Sequence, residues 1–259
     1  MAFRNGVEKA CYDLYWKAEK KIVPGLEFSQ TLYEKTLFNQ VNGAKRWLDL
    51  GCGHAILPQW RPEAEKKLTS NGCCIIGLDY DLWSLQHHRS IKNLIRGDIS
   101  SLPFPSDSFD LITSNMVFEH LQEPDVQLKE IHRILRPGGK LVFHTPCVKG
   151  YWYAVARIVP ESWKGWLSSV LHGRKDEDIF PAFYRINTGK RIKALAEKTG
   201  FRAQVKHIVS AAQLQIVPPL AIIELLIIKA ELRFKWLRSF RSNIIAVLYK
   251  PYLPSVHGI

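Results

Sequence analysis

A chain of 259 residues is long enough for one large α/β domain with an elaboration, or for two small domains. Its formal charge of +12 points to an anionic partner: nucleic acid, an anionic membrane surface or an acidic substrate. Composition argues against three classes. The five cysteines form no Cys-x-x-Cys pair and no zinc spacing, so buried, reduced thiols and no metal are expected; the N-terminus lacks an apolar signal core; no apolar run reaches the ~18 residues of a spanning helix.

In chain order, residues 1–45 read as two amphipathic helices with a break near Pro24-Gly25. From Arg46 onward apolar runs alternate with helical patterns. Strands are predicted over 46–50, 74–79, 92–97, 109–114 and 139–145, and helices over 56–69, 82–90 and 124–135. The adjacent His87 and His88 read as a solvated helix end. Arg136-Pro137-Gly138-Gly139 reads as a turn closing a helix before a strand. This alternation builds a doubly wound, mostly parallel sheet. It makes residues 46–147 the core domain.

After Cys147 the rhythm breaks. Residues 148–186 are aromatic and basic and read as an insertion over the sheet, a substrate lid. Thr188 is placed to cap a helix running through Lys198, with Gly200 ending it. Residues 187–259 then complete the sheet with strands near 203–209 and 243–249, separated by a helical segment at 213–241. On a helical wheel Leu232, Trp236 and Phe240 share one side of that segment. Glu231, Lys235, Arg238 and Arg241 lie roughly opposite. A basic amphipathic helix beside an apolar one suits an anionic membrane interface; the alternative is a helix pair packed on the sheet.

The residues with chemistry fall at strand ends. In an open parallel sheet, ligands bind beyond those ends at the topological switch point. Asp49 closes the first strand in "WLDLGCGHAI", and Gly51 and Gly53 follow in a tight turn where a ligand can approach the backbone. Asp79 closes the second strand, placed to accept hydrogen bonds from ribose hydroxyls. Asp98 follows the third, placed to accept from an adenine amino group. A dinucleotide turn carries a third glycine for the pyrophosphate, and here Ala55 stands near that place. Asp49 repels a phosphate but suits an ammonium and a sulfonium. S-adenosylmethionine carries both and has no phosphate.

The stretch "GDISSLPFPSDSFDLITSNMVFEHLQEPDVQLKEIHRILRPGGKLVFHTP" extends this reading. With "DLGCG" it resembles the class I S-adenosylmethionine-dependent methyltransferases, specifically the methyltransferase type 11 group, across residues 46–147. The resemblance implies a seven-stranded Rossmann-like sheet with its last strand antiparallel. It implies that Asp49, Gly51 and Gly53 line the methionine part of the cofactor and that Asp79 holds the ribose. Asp98 and Ile99 would border the adenine, Tyr80 would pack on its face, and Asn115 would lie behind the sulfonium. His54-Ala55 departs from the commoner Thr-Gly or Asn-Gly of that turn. Trp47 to Trp60 and Asp178 to Thr188 resemble a subset of the group that does not name a substrate.

Methyl transfer is an in-line displacement in which the cofactor carries the reactive group. A hydroxyl acceptor calls for a general base, and Glu119, His120 and His144, past the fourth and fifth strands, are the candidates. Of these, His120 has the best position, because the resemblance sets its loop facing the methyl group. Tyr184 and Arg185 are candidates to close over the substrate. The leading function is methyl transfer to a small or lipid-like acceptor by a cytoplasmic protein, peripheral at a membrane in the interfacial reading. A tRNA or rRNA methyltransferase is the rival enzyme, disfavoured because the basic residues are spread rather than clustered with stacking aromatics. A non-catalytic cofactor-binding or membrane-associated scaffold is the rival of another class.

Overall fold

A computed structural model of the protein describes residues 6–151, 153 and 181–252. Helices α1 (Gly6–Ile22) and α2 (Ser29–Val41) precede β1 (Arg46–Leu50), α3 (Pro62–Thr69), β2 (Cys74–Asp79), α4 (Leu82–Gln86) and β3 (Asn93–Arg96). Then come β4 (Phe109–Asn115), a 3-10 turn (Phe118–His120), α5 (Pro124–Ile134) and β5 (Leu135–Pro146). After the insertion follow α6 (Gly189–Lys198), β6 (Arg202–Ile208), α7 (Pro218–Arg233), a second 3-10 turn (Lys235–Phe240) and β7 (Asn243–Tyr249). The seven strands form one sheet in the order β3-β2-β1-β4-β5-β7-β6.

The first five strands in chain order pair in parallel. The last reverses: Gly138 N–H donates to Lys250 O and Lys250 N–H to Gly139 O, while Cys147 N–H donates to Ser242 O. The start of β5 therefore lies beside the end of β7, and the end of β5 beside its start. Central strands carry apolar residues on both faces, as helix-covered parallel strands do. Trp47, Leu48 and Leu50 of β1 and Leu141, Val142 and Phe143 of β5 are all buried.

The described residues cluster into two compact units. One is drawn from within Met1–Thr31, Cys147–Pro181 and His207–Asn243, the other from within Leu32–Pro146, Ala182–Lys206 and Ile244–Ile259. The second holds most of the sheet with α2 to α6. The first holds α1 and α7, whose core is Tyr15, Val23, Val209, Ala212, Ala221, Leu225 and Ile228. Most of the expected lid over 148–186 lies outside the described residues. Among the described residues no helix is long and apolar enough to cross a membrane.

Several boundaries differ from the sequence reading, each for a local reason. Helix α3 begins at Pro62 rather than 56, because Pro58 and Pro62 both disfavour helical backbone in the residue before them. Helix α4 stops at Gln86 instead of 90. The Asp81 carboxylate caps its start by accepting from Trp83 N–H and Ser84 N–H, and His88 Nδ1 turns the chain by accepting from Ser90 N–H and Ile91 N–H at 3.2 and 3.0 Å. His87 stacks on Trp83 with ring centroids 4.3 Å apart. Arg136-Pro137-Gly138-Gly139 is not a turn before β5 but part of it, a bulge where Gly138 takes φ +81° and the register against β4 shifts. A Cβ on Gly139 would come within 2.8 Å of Arg136 O. The segment 213–241 is not one helix: two prolines open α7, and it ends where Phe234 turns extended (φ −102°, ψ 118°). Glu231, set on the solvated side by the helical wheel, is buried, and Arg241 is half-buried, its guanidinium donating to Glu231 O and His207 O. Of the thiols, Cys52 and Cys147 are buried, whereas Cys74 is exposed.

Candidate active site

The chain lays down β1, β2 and β3 in one direction and then returns to place β4 on the other side of β1. The switch point is therefore the gap beyond the ends of β1 and β4. Register sets Asp49 of β1 beside Thr113 of β4. The Thr113 hydroxyl donates to Asp49 Oδ1 at 2.5 Å and accepts from Trp47 Nε1 at 2.6 Å. Burial pushes the Asp49 carboxyl up to about 7; the Thr113 hydrogen bond opposes this, and the nearby Glu65 and Asp79 carboxylates add to it. Tyr33 of α2 is fully buried, with its hydroxyl close to Asp49, Thr113 and Ser114.

Gly51 and Gly53 both have positive φ, +64° and +54°. A Cβ on Gly51 would meet Val117 Cγ2 at 2.3 Å, so only glycine fits there. Over Gly53 a Cβ would meet nothing within 4 Å, so the backbone faces open space. The Gly53 N–H donates to Asp79 Oδ2 at 2.7 Å and Asp81 N–H to Asp79 Oδ1 at 2.9 Å. Each of those carboxylate oxygens keeps acceptor capacity. Asp98 Oδ1 accepts from the Ser100 N–H and hydroxyl, which hold its carboxyl below its ordinary value. Ile99 is half-buried beside it, and Tyr80 is exposed, with the Arg96 guanidinium 5.5 Å from its ring centroid.

At the end of β4, Asn115 Oδ1 lies 2.8 Å from His144 Nδ1. His144 is 1 % exposed and stacks on Tyr33, and burial pulls it down to about 3, so its ring is neutral. It lies within β5, not beyond it. The next residue after Asn115, Met116, has φ +57°, an uncommon conformation for a side-chain-bearing residue. Glu119 is also buried. Its carboxylate accepts from the Thr145 hydroxyl at 2.9 Å, and Thr145 in turn accepts from Asn187 Nδ2 at 2.7 Å. The Glu119 carbonyl accepts from Phe183 N–H and Tyr184 N–H, and Tyr184 takes φ +52°. Thus the turn after β4 and the segment before α6 are tied together, with Arg185 lying 5.8 Å from the Phe183 ring centroid. His120 ends the 3-10 turn, half-buried.

The structure thus brings together Asp49, Gly51, Gly53 and Asp79, and separately Asn115 with His144 and Glu119 with Tyr184. Sequence reasoning missed Trp47, Thr113, Tyr33, Thr145 and Asn187. The alternation of β1 against β4 could have flagged Thr113; nothing local to Tyr33 or Asn187 announces their neighbours. Among the described residues, no three His, Cys, Asp or Glu side chains converge to hold a metal ion.

A seven-stranded sheet of this order, with acids closing its first two strands and positive-φ glycines at the switch point, defines a class I S-adenosylmethionine-dependent methyltransferase fold. Within the chain, residues 48–143 match the family described as Methyltransferase domain. The cofactor of the class is S-adenosylmethionine. A malonyl-[acyl-carrier protein] O-methyltransferase of Enterobacter lignolyticus is 34 % identical over 104 residues, which are 39 % of this chain and 38 % of that protein. A fatty-acid O-methyltransferase of Mycolicibacterium smegmatis is 30 % identical over 117 residues, 45 % of this chain and 42 % of that protein. The chain therefore spans less than half the length of these curated relatives. A solved S-adenosylmethionine-dependent methyltransferase from Mesorhizobium loti shares the fold at 18 % identity and a TM-score of 0.52, covering 85 % of this chain and 97 % of that one.

Proposed function

We propose that the protein transfers a methyl group from S-adenosylmethionine to a small or lipid-like acceptor. The observation that carries this reading is the buried Asp49 carboxylate at a strand end followed by two positive-φ glycines. A buried acid suits an ammonium group, and the open face of Gly53 suits close approach by a ligand. These features fit the cofactor of the class.

When bound, S-adenosylmethionine supplies an electrophilic methyl on its sulfonium. In this reading Asp49 holds the ammonium, with Gly51 and Gly53 shaping the turn around the methionine part. Asp79 holds the ribose through the remaining lone pairs of its carboxylate. Asp98 and Ile99 border the adenine and Tyr80 covers its face. Asn115 lies behind the sulfonium, with its side chain oriented by the neutral His144 ring. His120 takes the acceptor's proton or orients the acceptor. Glu119 acts through its neighbours: its hydrogen bonds hold the chain at Tyr184 and Arg185, which close over the substrate. His144, buried and neutral, is proposed as a positioning residue rather than the base.

The acceptor class is supported by the names of two relatives, which methylate a malonyl-[acyl-carrier protein] and a fatty acid. Arg185, exposed beside the tied segment, is a suitable partner for an acceptor carboxylate. The test is release of S-adenosylhomocysteine from S-adenosylmethionine with a panel of fatty acids and acyl-carrier thioesters bearing a free carboxylate. His120→Ala should lower turnover by roughly a hundredfold with cofactor affinity unchanged. Cofactor binding without turnover on any of these acceptors would refute the acceptor class alone. Tight binding of NAD and none of S-adenosylmethionine would refute the whole reading.

A further inference from the structure

Helix α7 buries Ala221, Leu225 and Ile228 on its inner face, yet its outer face is not the polar one expected of a helix with one side in water. Its sequence, PPLAIIELLIIKAELR, holds two acids, and both are inside: Glu224 and Glu231 are each 3 % exposed. Large aliphatic residues are outside: Leu220, Ile223, Leu226 and Leu232 are 42, 53, 52 and 41 % exposed. A surface helix ordinarily presents its charged positions to solvent and its leucines to the core.

The buried acids have been accommodated rather than merely tolerated. Glu224 accepts from the Tyr151 hydroxyl at 2.7 Å and from Gln213 N–H and Leu214 N–H at 2.9 and 2.8 Å, so it fastens the chain that leads into the helix. Glu231 has one carboxylate oxygen with no hydrogen-bond partner. An interior that accepts carboxylates while aliphatic side chains stay outside indicates that the outer face meets a medium other than water.

The surroundings of that face narrow the choice of medium. The following 3-10 turn and the residue before it add Phe234, Trp236 and Phe240, exposed at 48, 73 and 45 %. Lys229, Arg233, Lys235 and Arg238 are exposed around them. With both acids of residues 213–241 buried, every exposed charge on this stretch is positive. Aliphatic side chains rimmed by aromatic and basic ones match the acyl-chain boundary, the interfacial zone and the anionic headgroups of a bilayer in turn. A second copy of the same face would bring like charges together. A nucleic acid would leave the aliphatic side chains against phosphates. At sixteen residues the helix is about 24 Å long, short of the ~30 Å hydrocarbon layer, so it suits lying in the interface rather than crossing it.

We propose that the outer face of α7 and the 3-10 turn after it dock onto an anionic lipid surface, with the aliphatic and aromatic side chains inserted and the basic ones at the headgroups. This does not depend on the methyl-transfer reading. The test is co-flotation of the full chain with vesicles of phosphatidylcholine, with and without phosphatidylglycerol, at low and high salt. The expected result is binding only when phosphatidylglycerol is present, with a part that survives high salt. Lys229→Gln with Arg233→Gln should weaken low-salt binding by about thirtyfold. Ile223→Asn with Leu226→Asn should remove the salt-resistant part, on the order of a hundredfold, and leave the thermal unfolding transition in place. Trp236→Ala with Phe240→Ala should reduce the same part. The proposal is overturned if the wild type ignores anionic vesicles at low salt or if the Asn pair unfolds the protein, which would make those side chains core. It is equally overturned if the wild type is a dimer that the Asn pair converts to monomer without any vesicle binding.

Discussion

The switch point and helix α7 both bury carboxylates, and they do so on opposite terms. At the switch point Asp49 is held at the end of β1, with one hydrogen bond from Thr113 and the Tyr33 hydroxyl close by. In α7, Glu224 is saturated by three donors, and Glu231 lies one helical repeat further on with one oxygen unpartnered. Burial pushes both Asp49 and Glu231 up to about 7. A raised carboxyl alone therefore does not mark a ligand site. What separates the two is position: Asp49 ends a strand at the sheet's switch point beside backbone open to a ligand, whereas Glu231 lies on the inner face of a helix.

The comparison is broken most forcefully at Glu224. Glu224→Ala leaves two backbone N–H groups and the Tyr151 phenol without their acceptor, at a cost of about 3 kcal/mol or more in denaturant unfolding. A loss below about 1 kcal/mol would mean that solvent replaces those bonds.

Glu231→Gln should act in the other direction and depend on pH. Glu231 has a folded-state value of about 7 against an ordinary 4.5, so the folded protein favours its protonated form. Stability is then lost as pH rises from about 4.5 through 7, and the loss is complete above that. Glutamine cannot ionise, so the variant should be more stable than wild type by about 1–3 kcal/mol at pH 8 and about equal to it near pH 4. Equal stability at both pH values would show that the carboxylate is solvated.

At the switch point, Thr113→Val removes the hydrogen bond that restrains Asp49. The pH at which cofactor affinity reaches half its plateau should rise by about one unit, equivalent to about 1.4 kcal/mol. The smallest change is expected from Tyr33→Phe. Removing its buried hydroxyl, close to Asp49, Thr113 and Ser114, should alter stability by about 1 kcal/mol or less and weaken S-adenosylmethionine by about 1 kcal/mol in calorimetry. A variant that loses stability but keeps affinity would make Tyr33 a structural residue.

The sheet was legible in the sequence because its signals are local. Strands at 46–50, 74–79 and 243–249 match to the residue, since continuous apolar runs bounded by turns leave little freedom. The Thr188 cap is present too, with its hydroxyl accepting from Arg191 N–H. Asp49, Gly51, Gly53 and Asp79 were legible for the same reason, being strand-end acids and turn glycines within one motif. What escaped was what the fold assembles from distant segments. Tyr33 reaches Asp49 from a helix sixteen positions earlier in the chain, and Asn187 reaches Thr145 across the whole insertion. In 213–241, where both an interfacial and a packed reading were open, Glu231 was misplaced for a different reason. A helical wheel ranks residues by polarity and assigns a glutamate to water, so a buried acid is misplaced until burial is seen. The Arg136-Pro137-Gly138-Gly139 bulge was misread similarly, because turn residues inside a strand look the same as a turn before it.

The most direct test of the central claim is calorimetric titration of S-adenosylmethionine into the wild type and into Asp49→Asn between pH 5 and 8. Below about 7 the Asp49 carboxyl of the free protein is protonated, and binding of an ammonium must displace that proton. Wild-type affinity should therefore rise by up to about tenfold per pH unit on approaching 7 and then level off. Asp49→Asn should bind at least about 1.5 kcal/mol more weakly on the plateau and show no such rise. Tight binding that is flat with pH and unchanged in the variant would remove Asp49 from the cofactor site and contradict the assignment built on it.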